Sequence, residues 1–280
     1  MRAAFARLSS AAWLGWQIDT NWADPFIFVV YAVMRPLATA LILAGIWWAV
    51  GAKAPAHDVF AAVYLGSAFH NFVTWVVIGM GWVIIEERED YETLKFVFIT
   101  PLGLYTSLAG RALVKLAIAA LGVVMVLAVG WFALHLTWDW RAVRWPELAL
   151  TLALGGVCTL SAGFLVAGVG LLMPRTAILI NEGLAVALYL LCGVIFPIDL
   201  LPRALQQFSF ALPFTFWYEA LRRFILGHGA SARIGHWSDL HLLLALAGST
   251  MVFAVIGRWG YSALETRARR LGRLDQTTMF

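Results

Sequence analysis

Long apolar runs, each sized to a bilayer, alternate along the chain with short polar segments. A span needs about 20 apolar residues to cross a hydrocarbon core of about 30 Å. Runs of that scale cover residues 25–50, 59–85, 104–134, 147–173, 177–196 and 240–261. Each predicts a transmembrane helix, since a spanning segment must satisfy its own backbone hydrogen bonds. The expected fold class is therefore all-α: a polytopic membrane protein of about six transmembrane helices. The segments that do not cross carry their own patterns. In residues 1–24, Phe5, Leu8, Ala12, Trp13 and Trp16 recur at helical spacing, with Arg2, Arg7 and Gln17 elsewhere. That pattern predicts an amphipathic helix lying in the interface plane. Asp24-Pro25 then supplies a cap and a first-turn proline for the first span.

Two further segments stand apart. Residues 86–101 hold the densest charge in the chain, namely Glu86, Glu87, Arg88, Glu89, Asp90, Glu92 and Lys95. The short apolar run 96–99 and Thr100-Pro101 follow, too brief to span. Residues 197–226 are punctuated by Pro197, Pro202 and Pro213 and combine Leu201, Leu205, Phe208 and Leu212 with Arg203, Gln206, Gln207, Glu219, Arg222 and Arg223. This stretch is too polar to span and too apolar for a free loop, which predicts re-entrant or interfacial helices. Residues 262–280 form a basic tail with Arg267, Arg269, Arg270 and Arg273.

Polar residues inside the spans need separate weighing, because a charge at the bilayer centre costs about 2.5–3.5 kcal/mol on insertion scales. Arg111 and Lys115, near the start of the third span, are expected to snorkel to the interface. Arg35, Glu182, His70 and Asn71 are candidates for a polar pathway. The alternatives are interface positions for the two charges and a simple interhelical hydrogen bond for His70-Asn71. Gly155, Thr159, Gly163 and Ala167 recur every fourth residue, a stripe that lets two helices approach closely. Trp131, Trp138, Trp140 and Trp145 gather on the same side as Trp47 and Trp48. They fit an aromatic belt and equally a surface for stacking a sugar or a flat ring.

Composition narrows the function classes. Hydrophobic residues make up 62% of the 280 and charged residues 13%, against about 25% charged in a soluble domain. Six spans leave no length for an added soluble domain. A net charge of +4 reads as an orientation signal, with no nucleic-acid partner. Cys158 and Cys192 sit in apolar runs and are expected to be buried and unpaired. The apolar stretch 11–16 is too short, and too soon interrupted, for a signal peptide. An even number of spans places both termini on one side, and putting that side in the cytoplasm gives it the larger share of Lys and Arg. No Gly-x-x-x-x-Gly-Lys-Ser/Thr loop occurs, no histidine pair has a ligand spacing, and no nucleophile–base pattern appears. No catalytic residue, metal or cofactor is therefore predicted, and the chain is expected not to be an enzyme.

Two motifs carry a resemblance. Glu87-Arg88-Glu89, then Glu92-Thr93-Leu94-Lys95, then Ile99-Thr100-Pro101 resembles the cytoplasmic segment of type-2 ATP-binding-cassette (ABC) exporter permeases. The usual pattern there is an acidic-basic-acidic triplet, a Gly-Thr-Leu-Glu run and a Thr-Pro. Phe196-Pro197, Leu201-Pro202, Leu205-Gln206, Ser209, Pro213, Thr215-Phe216 and Tyr218-Glu219-Ala220-Leu221-Arg222 are similar to that family's signature before the last span. The two motifs in order, with the amphipathic start and six spans, extend the resemblance over nearly the whole chain. Glu92 stands where the family usually has Gly, and Lys95 where it usually has Glu.

The resemblance implies a bacterial inner (plasma) membrane protein with both termini cytoplasmic. It implies a permease homodimer rather than a heterodimer, embedded in membrane lipids and docked on two ABC nucleotide-binding ATPase subunits that bind the ATP and Mg. The coupling segment would comprise Glu86, Glu87, Arg88, Glu89, Glu92, Thr93, Leu94, Phe96, Thr100 and Pro101. Leu94, Phe96, Val97 and Phe98 would enter a groove on the ATPase. The bland alternative is a solvated, charge-rich loop. Phe196, Pro197, Pro202, Pro213, Tyr218, Glu219 and Arg222 would form the external gate. The substrate expected is amphipathic, drug-like, lipid-linked or a polysaccharide. A transporter driven by an ion gradient is the alternative. It predicts repeated halves and paired mid-membrane charges, and neither stands out in the sequence.

Overall fold

The computed structural model describes residues 2–21, 57–100, 103–136 and 139–273, together with Met34, Leu41, Ile42 and residues 37–39 and 44–46. Most of the expected first span, with Asp24-Pro25, Arg35, Trp47 and Trp48, lies outside the described residues, as do Pro101, Trp138 and residues 274–280. The helices are α1 (Arg2–Asn21), α2 (Val59–Asp90), α3 (Leu94–Ile99), α4 (Gly103–Phe132), α5 (Trp145–Leu172), α6 (Ala177–Leu191), α7 (Arg203–Ala211), α8 (Pro213–Leu226), α9 (Ala232–Gly235) and α10 (Asp239–Arg270). Among the described residues there is no strand. Five helices there are long and apolar enough to cross a membrane: α2, α4, α5, the Pro174–Leu191 stretch containing α6, and α10. The protein is an all-α, polytopic membrane protein.

Three boundaries depart from the sequence reading. Helix α2 does not stop at Ile85 but runs through the charged residues to Asp90, its last turn widened to π geometry over Glu86–Asp90. Glutamate and arginine are good helix formers, and burial with partners removes the need to break. Helix α10 continues nine residues beyond 261, so Arg267, Arg269 and Arg270 are helical. Helix α6 ends early, at Leu191, where Gly193 takes a left-handed φ of 74° and Pro197 follows, the usual grammar of a helix C-terminus.

Long-range contacts fix the direction of each helix. Tyr64 near the start of α2 donates to the Val126 carbonyl of α4 at 2.6 Å, while Glu87 near the end of α2 meets Arg111 of α4. The two helices are therefore antiparallel. Tyr105 at the start of α4 packs on Tyr261 late in α10, and Arg273 bonds the Leu172 carbonyl at the end of α5. One end of the bundle thus gathers α1, α3, the start of α4 and the end of α10. The other gathers the tryptophan loop and α7–α9. Ala62, bonded at the second end, and Glu87, bonded at the first, are 25 residues apart on α2, about 38 Å at 1.5 Å per residue.

The stripe Gly155, Thr159, Gly163 and Ala167 is buried as the spacing predicts. It receives α8 and α2: the Trp217 indole lies on Gly155, and Met80 lies on Gly163. A second small face, not apparent from that stripe, meets α10 through Ser161 against Gly257 and Gly168 against Leu264. Cys158 and Cys192 are both buried and free.

A side chain at Gly155 has nowhere to go but into the Trp217 ring, and overpacking of this kind costs about 1–3 kcal/mol. Gly156 faces open space, where alanine gains up to about 1 kcal/mol of helix propensity. Gly155→Val should lower the thermal unfolding midpoint of the purified protein and Gly156→Ala should not. Equal midpoints for the two variants would refute this packing.

Candidate functional site

At the first end the charged residues form a buried joint. Arg111 of α4 is 1% exposed. Its Nη2 donates to Asp19 Oδ1 of α1 at 2.9 Å and to Glu86 Oε2 of α2 at 3.0 Å, and its Nη1 to Glu87 Oε1 at 3.2 Å. Lys115 Nζ lies 3.3 Å from Asp19 Oδ2. The expected snorkelling of Arg111 and Lys115 is thus corrected: both are buried, and they reach acids on neighbouring helices instead of water. Two glycines permit the approach. Ala11 of α1 lies against Gly110, and Gly15 lies against Arg111. Helix α1 therefore buries its small residues on α4 and leaves Trp13, Leu14 and Trp16 outward.

Arg88, the base in the acidic-basic-acidic triplet, faces another way. It is buried and donates from Nη1 to the Gly170 carbonyl at 3.0 Å and from Nη2 to the Leu171 carbonyl at 3.1 Å. These are C-terminal carbonyls of α5, left without helical partners, and a cation there also complements the helix dipole. Glu89 is buried beside it. The triplet is not a solvated loop.

The chain then turns sharply. Tyr91 closes the helix end, its N–H donating to the Glu86 carbonyl at 2.9 Å. Its phenol pKa is raised, by burial first and then by Glu86. Glu92 takes φ 52°, the left-handed region that glycine enters freely and other residues enter at about 1–2 kcal/mol. The short α3 follows. Leu94 is buried in the bundle's own core, whereas Lys95 and Phe96 face outward, Phe96 at 55% exposure. Thr93 and Thr100 are exposed at its two ends. The side chains of Phe98 and Ile99 lie outside the described residues.

The second end is held by side chains bonding backbone. Arg222 of α8 donates from Nε to the Ala62 carbonyl at 2.9 Å and from Nη2 to the Gly193 and Val194 carbonyls, both 2.7 Å. Gly66 makes room, since a Cβ there would stand 2.5 Å from Nη2. The Glu219 carboxylate accepts the Ala230 and Ser231 N–H groups at 3.2 Å each. The Tyr218 hydroxyl lies 3.0 Å from His70 Nδ1 on α2. Pro213 opens α8 and is buried, Phe196 and Pro197 are half-buried, and Pro202 is exposed. Arg144, in the loop before α5, bonds Asp239 and Glu147, and those carboxylates hold its guanidinium pKa above the ordinary value.

Residues 11–226 match the family described as ABC-2 type transporter. The chain belongs to that family. No curated protein matches the chain. The chain is thus the membrane-spanning permease component of an ABC transporter, and permeases of this kind generally work with ABC ATPase subunits.

Of the pathway candidates in this ABC-2 permease, Asn71 bonds only its own helix, to the Ala68 carbonyl at 2.9 Å. Glu182 is exposed on α6. The polar residue that reaches the interior is its neighbour Asn181, buried, donating to the Ile78 carbonyl at 3.0 Å. Its partner closes the π-helical turn Val73–Ile78 of α2. Asn181, Asp19 and Arg273 were all missed at the sequence level. Each bonds a residue 90 or more positions away, and no local pattern marks that.

Removing one partner from a buried ion cluster costs about 3–5 kcal/mol. Arg111→Met should destabilise the permease by that order, with Arg111→Lys intermediate, as read from thermal or denaturant unfolding in detergent. Wild-type stability in Arg111→Met would contradict the joint. At the turn, Glu92→Gly should gain up to about 1 kcal/mol by relieving the left-handed backbone, and Glu92→Val should lose at least as much. The same unfolding measurement reads both, and the opposite order would show that φ is not strained.

Proposed function

We propose that this permease is the membrane subunit of an ATP-driven exporter, and that α3 with the joint behind it is where a cytoplasmic ATPase engages. The observation that carries the reading is the division of labour in α3. Leu94 locks the helix to the bundle while Phe96 is left outward beside Lys95. An exposed aromatic beside a lysine suits insertion into a groove on a partner, the ring supplying contact area and the charge register. The joint makes the contact mechanically useful. A push on α3 is carried to α1, α2 and α4 together, because Arg111 binds acids from α1 and α2 at once.

The charge distribution supports the orientation. The joint end carries Lys95, Arg175, Arg267, Arg269, Arg270 and Arg273, in keeping with a cytoplasmic face. The proline-punctuated helices α7 and α8 then lie at the outer face as the gate. Helix α6 presents Leu179, Glu182, Val186 and Leu190 outward. A carboxylate on that face is costly in lipid, which favours a second permease copy or a polar pathway against it. In this reading two copies form the pathway for an amphipathic or lipid-linked substrate, and ATP and Mg are bound by the partner ATPases.

Phe96→Asp should weaken co-purification of the ATPase about 10- to 30-fold, the loss expected of an interface hot spot, and uncouple transport in proteoliposomes, with the permease's own unfolding midpoint unchanged. Leu94→Ala should instead cost about 2–5 kcal/mol of stability and so lower that midpoint. Normal ATPase binding and ATP-driven transport with Phe96→Asp would sink the coupling role of α3.

A further inference from the structure

The second end of the bundle buries a cation that has no counter-ion among the described residues. Arg222 is 3% exposed, and among the described residues no carboxylate comes within ion-pairing distance of it. Its three bonded acceptors are backbone carbonyls, and its Nη1 makes no hydrogen bond among the described residues. Carbonyl dipoles reduce the cost of burying a guanidinium but cancel no formal charge. The charge that acts on it most is Glu219, one turn earlier on α8. The Glu219 carboxylate already receives two backbone N–H groups, and it shares with Arg222 only a water-sized void of about 10 Å³.

Arg222 also lines a much larger cavity. This one has a volume of about 270 Å³ and lies between the start of α2 and the segment that follows α6. Val59, Val63, Phe196 and Pro197 supply apolar wall. Arg222 and His228 are the polar side chains that line it. A space that joins apolar walls to one buried, uncompensated cation is complementary to a molecule with the same two parts.

We propose that this cavity binds the anionic headgroup of an amphiphile, a phosphate ester whose oxygens sit at Arg222 and His228 while its apolar chain lies along Val59, Val63 and Phe196. A small free anion fits less well. It would surrender its hydration to apolar walls and gain one fixed cation, whereas a chain attached to it regains apolar contact there. Arg presents a planar fork of donors suited to phosphate oxygens. Only the ligand's place in transport rests on reading residues 197–226 as the external gate; the binding itself does not.

The full-length permease, purified in a neutral maltoside detergent without its ATPase, is titrated with dodecyl phosphate while thermal unfolding is followed. The expected result is a saturable rise in the midpoint, as for any ligand that binds the folded state. Neither the neutral detergent at higher concentration nor inorganic phosphate alone should produce it. Arg222→Lys tests the guanidinium, but Arg222 also holds three backbone carbonyls in two segments, and its replacement can unfold this end of the bundle. Val63→Phe is therefore the deciding variant. It fills the cavity without touching any Arg222 bond, and should leave the unliganded midpoint in place while weakening dodecyl phosphate by about tenfold or more. An undiminished rise in Val63→Phe, or an equal rise with neutral alkyl chains, overturns the site. An equal rise with inorganic phosphate alone overturns the amphiphile and makes the ligand free phosphate. Neither ATP nor the ATPase takes part, so loss of ATP-driven transport and loss of this binding are separate outcomes.

Discussion

The guanidinium of Arg111 must be charged and is almost wholly out of water, and the rest of this end of the permease is arranged around that fact. Moving such an ion out of water costs several kcal/mol even after relaxation, and only well-formed hydrogen bonds to opposite charges offset it. The three carboxylates that do so come from two other helices, Asp19 from α1 and Glu86 and Glu87 from α2. None of these helices can slide along α4 without stranding a buried charge. The joint is thus a device for fixing relative position. Buried ion pairs in general add little net stability, and the function proposed for the first end, passing a push from α3 into the spans, asks for rigidity at this point.

The second end solves the same problem with neutral partners. Arg222 and Arg223 are both buried, yet they bond chiefly to carbonyls: Ala62, Gly193 and Val194 for the first, Ile234, Gly235 and Trp237 for the second. Arg222 ties α8 to the first turn of α2 and to the chain just past α6, and Arg223 ties it to the short α9 and the residue Trp237 beyond it. This knits irregular backbone into the fold through buried side chains. Asp239 alone adds a carboxylate, 3.3 Å from Arg223. The difference between the ends is one of charge. The first joint sets three acids against Arg111 and Lys115, while among the described residues no carboxylate forms an ion pair with Arg222.

Much of this was legible in the sequence, and the exceptions have physical causes. Hydropathy placed the ends of α4 and α5 within two residues, because a span announces itself by length and composition. The helix pair after α6 followed from its prolines and its mixed polarity. The charged run at 86–90 was harder. Local composition reads dense charge as solvent exposure, and whether Glu87 and Arg88 are buried depends on Arg111 and on the end of α5, 24 and about 82 residues away. Arg111 and Lys115 were misread for the same reason. Asn181 was invisible for another: a neutral amide scarcely alters hydropathy, and its exposed neighbour Glu182 drew attention instead. Glu92 did leave a trace. It stands where the resembling permeases usually have glycine, and its φ of 52° explains what glycine supplies there.

Helix α2 is bonded into both ends, through Glu86 and Glu87 at one and the Ala62 carbonyl at the other. Any displacement begun at the joint must reach the second end along it or around it. Its course is interrupted midway by the π-helical turn Val73–Ile78, where i→i+5 bonding replaces the regular ladder and the helix is locally widened. At the close of that turn Asn181 of α6 holds the Ile78 carbonyl, and Gly81, one turn on, is bare where a Cβ would stand 2.6 Å from the Asn181 side chain. The irregular turn is therefore tied to α6, the least buried of the five spans among the described residues. A movement of α2 that bends at this turn must carry α6 with it, and one that does not bend must shift the Ala62 carbonyl and, through Arg222, the backbone of Gly193 and Val194 just beyond α6. By either route α2 and α6 are displaced together.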